Sequence, residues 1–292
     1  MCELFCLSSR HPTRATFSLK RFAAHGAPDG RNVDGWGVAF HEGRDIRLYK
    51  EPEPAGDSPW VAFIERRALS TRLLISHIRR ATVGANSHAN TQPFARELDG
   101  RMHLFAHNGG FDDIAARFAR SRHRFHPVGE TDSEMACCLL LERLAPLWEG
   151  ASVPSLDARL GVINAFAAEM RPLGIANFLY SDGEFVFGHG HRRTQADGIV
   201  APPGLWVRHR HRAPSHAADT PPAPEGSGVT IHQEGSHQEG GHQEGGHADD
   251  HKHVGEAQEM ALLASVPVTA GHWRPLAEGE VVVLSAGELV SS

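Results

Sequence analysis

The chain has 292 residues, 40% of them hydrophobic, and a formal net charge of −6. It is long enough to bury a substantial core as one large domain or two small ones, and it carries no global basic field to recruit nucleic acid or an anionic membrane. No stretch approaches the ~18 apolar residues of a membrane helix, no basic-then-apolar leader is visible, and four cysteines make no disulfide framework, so a cytoplasmic globular protein is expected.

In chain order, the apolar run Leu4 to Ser8 predicts a strand that holds Cys2 at a sheet edge. Phe17 to Ala24 reads as a helix, and Val38 to Phe40 with Ile46 to Tyr49 reads as a hairpin across Gly43. Trp60 to Ala68 is expected to be helical and Leu73 to Ile78 a strand. A Gly- and Asn-rich loop runs from Thr82 to Gln92, closed by Pro93-Phe94. Met102 to Ala106 is a strand that ends at His107-Asn108-Gly109-Gly110, where Asn-Gly is first of all a turn signal. Residues 111–120, 132–148 and 155–169 read as helices. Strands return at Asn177 to Tyr180, Glu184 to Phe187 and Leu205 to Val207. The order β-rich, α-rich, β-rich predicts α+β layering.

Composition changes sharply over 213–256, where His-Gln-Glu-Gly recurs at His232, His237 and His242, followed by His247, His251 and His253. With almost nothing apolar to bury, this tract is expected to be a disordered insertion in a surface loop. Residues 1–212 then form the core of a single domain, and 257–292 supply strands that rejoin it. The histidines could chelate nickel, zinc or copper weakly, since ordering a flexible chain costs entropy; the plainer alternative is a low-complexity expansion in a tolerant loop.

Five stretches carry chemistry. Methionine before a small residue such as cysteine is normally removed, which leaves the Cys2 thiol beside a free α-amine of pKa about 7.7–8.0. A nucleophile activated by its own terminal amine is one route to acyl transfer. Arg79, at the end of the Leu73 to Ile78 run, could hold a carboxylate bidentately. Asn108 and Gly109 are a turn or an oxyanion hole, with the Asn108 amide and Gly109 N–H as donors. Thr131 and Glu134 have capping-box spacing, and Asp132 beside them would stay ionised at a helix N-terminus, able to meet an ammonium. Asp34-Gly35-Trp36-Gly37 is a turn or a small-residue loop that admits substrate to Cys2. Cys137 and Cys138 lie on an apolar run and read as core.

Taken in order, Met1-Cys2, Asp34-Gly35-Trp36-Gly37, His77-Ile78-Arg79 with Thr82, Asn90-Thr91-Gln92-Pro93-Phe94, Ala106-His107-Asn108-Gly109 and Thr131-Asp132-Ser133-Glu134 resemble the class II glutamine amidotransferases. These are N-terminal nucleophile hydrolases, and the chain is most similar to their compact, stand-alone bacterial members. The resemblance covers the first 135 residues. It implies a four-layer αββα sandwich of two antiparallel sheets, with no cofactor and no metal in the core. It implies that Cys2 attacks the γ-carboxamide of glutamine or of a γ-glutamyl compound, with its α-amine as base. Asn108 and Gly109 would stabilise the oxyanion, Arg79 assisted by Thr82 would bind the α-carboxylate, and Asp132 the α-ammonium. Gly110-Phe111 after Asn108-Gly109, Thr at 131 and the histidine tract depart from the family pattern. Whether a separate synthase accepts the ammonia, or the protein works alone on a γ-glutamyl small molecule, stays open. The rival reading is a non-catalytic metal-binding protein that uses His232, His237, His242 and His247.

Overall fold

Alternation along the first strand sets the layering. In β1 (Glu3–Arg14) Leu4 and Cys6 face one way while Phe5 and Leu7 face the other, and the two sets join different hydrophobic clusters. A computed structural model describes residues 2–14, 21–26, 32–121, 124–150, 152–212 and 257–291. Leu4 and Cys6 meet Ala39, Ile75, Leu104, Ala106, Leu179 and Val282 in a core shared by two sheets. Phe5 and Leu7 pack on the opposite side with Phe22, Val61 and Ile64.

The first sheet has seven strands. Besides β1 it contains β2 (Trp36–Glu42), β3 (Asp45–Glu51) and β4 (Ser70–Ile78). The second sheet begins with β5 (Phe94–Leu98) and β6 (Arg101–Phe111), and continues with β7 (Gly174–Ser181) and β8 (Val186–His189). A two-residue pair, β9 (Arg193–Thr194) and β10 (Val200–Ala201), stands apart. β11 (Trp206–Arg212), β12 (Gln258–Ala264) and β13 (Arg274–Pro275) return to the first sheet. β14 (Val281–Ser285) and β15 (Glu288–Ser291) complete the second, which has six strands. The spatial orders are β13-β11-β12-β1-β4-β2-β3 and β15-β14-β8-β7-β6-β5, with antiparallel neighbours throughout.

Helices cover both outer faces. α1 (Pro59–Arg67) lies on the first sheet; Ser58 caps it by accepting the N–H groups of Trp60 and Val61, and Pro59 opens its first turn. α2 (Ile114–Phe118), α3 (Asp132–Trp148) and α4 (Leu156–Met170) cover the second sheet, in a cluster that holds Leu140, Trp148, Phe166, Phe178 and Met170. Helix, sheet, sheet, helix is the expected αββα sandwich. Cys137 and Cys138 are buried in this outer cluster, and burial pushes the Cys138 thiol up to about 11.

Two expectations change, and two others fall mainly outside the described residues. β6 does not end at His107 but runs on to Phe111, with Asn108 opposite Asn177 and Gly109 opposite Ala176. The local Asn-Gly turn preference is overridden by pairing with β7. The helix expected over 111–120 shrinks to Ile114–Phe118, because Asp112 N–H is bound by Leu173 O and Asp113 turns left-handed at φ 56°. The expected helix at Phe17 to Ala24 lies mostly outside the described residues; 21–23 are helical and Ala24–Gly26 is a 3-10 turn. The tract 213–256 also lies outside them, with β12 following it between β11 and β1.

Candidate active site

The strand registers gather the site. Glu3 pairs with Ile78, so Cys2 lies against the chain as it leaves β4 at Arg79 and Arg80. The Arg80 N–H donates to Cys2 Sγ at 3.1 Å, and the thiol in turn reaches Arg80 O at 3.3 Å. Cys2 is half-buried, and desolvation raises its thiol pKa, against the lowering effects of the Arg80 N–H and the Arg79 charge. The thiol is therefore held protonated at neutral pH.

Cys2 shares a narrow cleft with Arg79, Thr82, His107, Gly109 and Asp132. Its volume is about 20 Å³, room for roughly one water. Gly109 has φ 156°, and a Cβ there would sit 1.8 Å from Ile175 O, so only glycine lets β6 and β7 pair while the cleft wall stays flat. Asp132 opens α3, whose cap is Thr131 accepting the Glu134 N–H at 3.2 Å. The reciprocal half of a capping box is absent: Glu134 instead pairs with Arg96 at 2.5 Å and accepts the Gly129 N–H at 2.7 Å. Asp132 Oδ2 accepts the Phe111 N–H at 2.7 Å, which ties the helix start to the end of β6.

Arg79 is only 3% exposed. Its Nη1 donates to Asp34 O at 3.2 Å and Asn86 Oδ1 at 2.8 Å, and its Nη2 to Val83 O at 3.0 Å and Gly84 O at 3.2 Å. Thr82 lines the cleft but is not among these partners. Asp34 accepts the Ala81 N–H at 2.8 Å and the Asn86 amide at 3.0 Å. Asp34-Gly35-Trp36-Gly37 is thus an anchor for the 79–92 loop more than a passage to Cys2. A Cβ on Gly37 would lie 2.2 Å from Gln92 O, so that glycine makes room for the loop.

Asn108 is fully buried behind Gly109. Its Nδ2 lies 3.2 Å from Ser265 Oγ, which also accepts the Leu4 N–H at 3.0 Å, and Asn108 Oδ1 has no partner among the described residues. Two residues not singled out in the sequence complete the walls. Gln92 accepts the His107 N–H at 2.6 Å and donates to His107 O at 3.2 Å, pinning the loop to β6. The His107 ring stacks on Phe111 at 4.2 Å, with Nδ1 2.9 Å from Ser133 Oγ and Nε2 2.9 Å from Ile175 O. A carbonyl only accepts, so Nε2 carries the proton and Ser133 donates to Nδ1. Burial lowers the His107 pKa and keeps the ring neutral. The signal for both was their position inside quoted motifs.

Among the described residues, no group of three or more His, Cys, Asp or Glu side chains is placed to hold a metal. His232, His237, His242 and His247 lie outside them. No described helix is long and apolar enough to cross a membrane.

Residues 1–218 match the family described as glutamine amidotransferases class-II. YafJ of Escherichia coli K12, assigned by name to the glutamine amidotransferases, is 36% identical over 189 residues, covering 65% of this chain and 72% of that protein. A crystal structure of a predicted glutamine amidotransferase from Pseudomonas aeruginosa superposes over the whole of both chains, with TM-score 0.62 and 25% identity. The glutamine phosphoribosylpyrophosphate amidotransferase of B. subtilis matches all of this chain and 49% of its own, with TM-score 0.58; at 13% identity that likeness concerns the fold alone.

Proposed function

The chain belongs to the class II glutamine amidotransferases, and on that premise we propose that it is an N-terminal cysteine amidohydrolase acting on glutamine or a γ-glutamyl amide. The observation that carries the reading is one cleft that joins a thiol, a buried guanidinium, a glycine N–H and a carboxylate at a helix start. A γ-glutamyl head is a zwitterion, so it needs one cation, one anion and an acyl-transfer group. Arg79 and Asp132 supply the charges, with Thr82 beside Arg79, and Cys2 supplies the nucleophile.

Removal of Met1 frees the Cys2 α-amine. That amine takes the thiol proton as Sγ attacks the γ-carbonyl carbon, and passes it to the departing nitrogen. Water then cleaves the thioester and releases glutamate. Gly109 N–H and Asn108 Nδ2 stabilise the tetrahedral oxyanion, a contribution of about 3–4 kcal/mol for a donor of this kind. A half-turn of the Asn108 amide supports that role. Ser265 Oγ already accepts from Leu4, so its proton needs an acceptor. Turning Oδ1 toward it supplies one and moves Nδ2 to where the unpartnered oxygen sits.

The Arg79 fork is occupied by the loop carbonyls of Val83 and Gly84. In the proposed binding mode the 82–90 loop withdraws, and Arg79 exchanges these carbonyls for the substrate carboxylate. The deciding experiment is intact mass after treatment with diazo-oxo-norleucine, a glutamine-directed electrophile. Loss of Met1 and one adduct on Cys2, abolished in Cys2→Ala, is the expected result. Retained Met1, or processed protein with an unlabelled Cys2, would sink this mechanism.

A further inference from the structure

Arg80 borders two cavities. Its backbone holds Cys2 Sγ in the small cleft, and the same residue lines a second cavity of about 430 Å³ with Glu3, His25, Asn32, Arg193, Thr194 and Gln195. Glu3 directly follows Cys2 in β1, so the two cavities meet around the end of one strand. The named lining side chains are all polar or charged. Glu3 is already engaged, with its carboxylate 2.6 Å from His25 Nδ1. Arg193 Nη1 donates to a neutral partner, the carbonyl of Ser265. Among the described residues the Arg80 side chain has no hydrogen bond, and neither arginine has an ion pair. Among the described lining residues, one carboxylate thus stands with two arginines and a histidine, a local positive excess in a chain of net charge −6.

Ammonia needs no such space. A water-sized molecule takes about 30 Å³, and the second cavity is more than ten times larger. Unpaired guanidinium groups in a polar concavity are carboxylate or phosphate receptors by their donor geometry. Carboxylate fits better here, because the cavity already holds the Glu3 carboxylate, which repels a doubly charged phosphate more than a singly charged carboxylate.

We propose that this cavity receives the leaving half of a γ-glutamyl amide, and that this half is an amino acid whose carboxylate is held by Arg80 and Arg193. The proposal rests on the acyl-transfer reading of Cys2. In the step concerned the Cys2 Sγ–C bond forms, the C–N bond breaks, and the nitrogen leaves as an amine with the proton delivered by the Cys2 α-amine. Water completes the balance: γ-glutamyl amino acid plus water gives glutamate plus a free amino acid. Glu3 with His25 then lies beside the new ammonium group.

The test measures kcat/KM on three amides that share the γ-glutamyl head: γ-glutamylglycine, γ-glutamylethylamide and glutamine. The expected result is a preference of about tenfold or more for γ-glutamylglycine over the ethylamide, the worth of one charge-assisted contact. Arg80→Gln should cut that ratio about tenfold; its side chain is exposed, so the substitution is not expected to disturb folding. Arg193→Gln should do the same, read in protein whose unfolding temperature is checked. Equal rates on the glycine and ethylamide compounds, or an unchanged ratio in Arg80→Gln, overturn the proposal while activity on glutamine leaves the acyl-transfer reading standing. Inactivity on all three compounds overturns both.

Discussion

The backbone nitrogen of Arg80 lies 3.1 Å from the Sγ of Cys2 and its carbonyl oxygen 3.3 Å away, so the thiol and the loop that follows β4 are joined directly. The neighbouring side chain, Arg79, is wrapped by that same loop. The positions of the loop and of the Cys2 thiol are therefore coupled, and in the proposed mechanism the reaction is expected to report on both.

The first consequence is a pH profile. Burial raises the thiol pKa, so the thiolate does not form on its own near neutrality. Attack needs the α-amine in its neutral form, with an ordinary pKa of about 7.7–8.0. In the proposed mechanism kcat/KM for glutamine rises with pH and levels off above that value. A profile already flat from pH 6 upward would point to a preformed thiolate.

Asn86 is an exposed residue that bonds both Arg79 and Asp34. Asn86→Ala removes two contacts that hold the loop closed and costs little global stability, under about 1 kcal/mol. In the proposed binding mode Arg79 releases the loop to take a carboxylate, so KM for glutamine should fall about two- to fivefold. Hydrogen exchange over 82–90 should quicken in the same variant. An increase in KM would mean that the closed loop helps substrate instead of competing with it.

Arg79→Lys keeps the charge but cannot span Asp34 O, Asn86, Val83 O and Gly84 O with one planar fork. Loss of bidentate binding is expected to lower kcat/KM about 100-fold, mostly through KM. Steady-state kinetics at saturating and limiting glutamine separate the two parameters.

Gly109→Ala meets two obstacles: a φ of 156° and a carbonyl 1.8 Å from the new Cβ. The β6–β7 pairing must part at the site, so the protein should be destabilised by several kcal/mol, on the scale of large single-site effects. Chemical denaturation measures this. Gly43→Ala is the contrasting case, since a Cβ there meets nothing within 4 Å and only its φ of 63° is unfavourable.

At the other end of the sandwich, Arg159 and Asp182 form an ion pair at 2.7 Å with side chains 3% and 0% exposed. Arg159→Ala leaves a buried carboxylate without its partner and should cost about 3–5 kcal/mol. No residue of the cleft touches this pair, so KM for glutamine should stay unchanged at a temperature where the variant is folded.

What the sequence made legible follows from how local each signal is. α3 was readable because Thr131 caps it and its apolar face continues to Trp148. The hairpin of β2 and β3 was readable from alternation around Gly43. Asn108-Gly109 misled as a turn because the force that straightens it is distant. Asn177 in β7 donates to Asn108 O at 3.1 Å, 69 residues away in sequence. β9, β10 and β13 are two residues long and carry no periodicity at all. At the site, Cys2, Arg79, Gly109 and Asp132 were named by residue type and come together in one cleft. Gln92 and His107 stand inside motifs quoted for the resemblance, but residue type alone does not tell that Gln92 pins the loop to β6 through the His107 backbone.

Ser265 gives the site an order in time. It binds Leu4 and Asn108 from the strand end just after β12, 261 and 157 residues away. At about 5–20 residues per second, a ribosome needs tens of seconds between making Cys2 and making Ser265. During that interval β1 has no β12 beside it, and the Asn108 amide has no Ser265 to orient it. The Cys2 thiol is thus made well before the residues that complete its surroundings. In the proposed mechanism, a nascent chain carries this thiol with the Asn108 donor unoriented until β12 and Ser265 join the sheet.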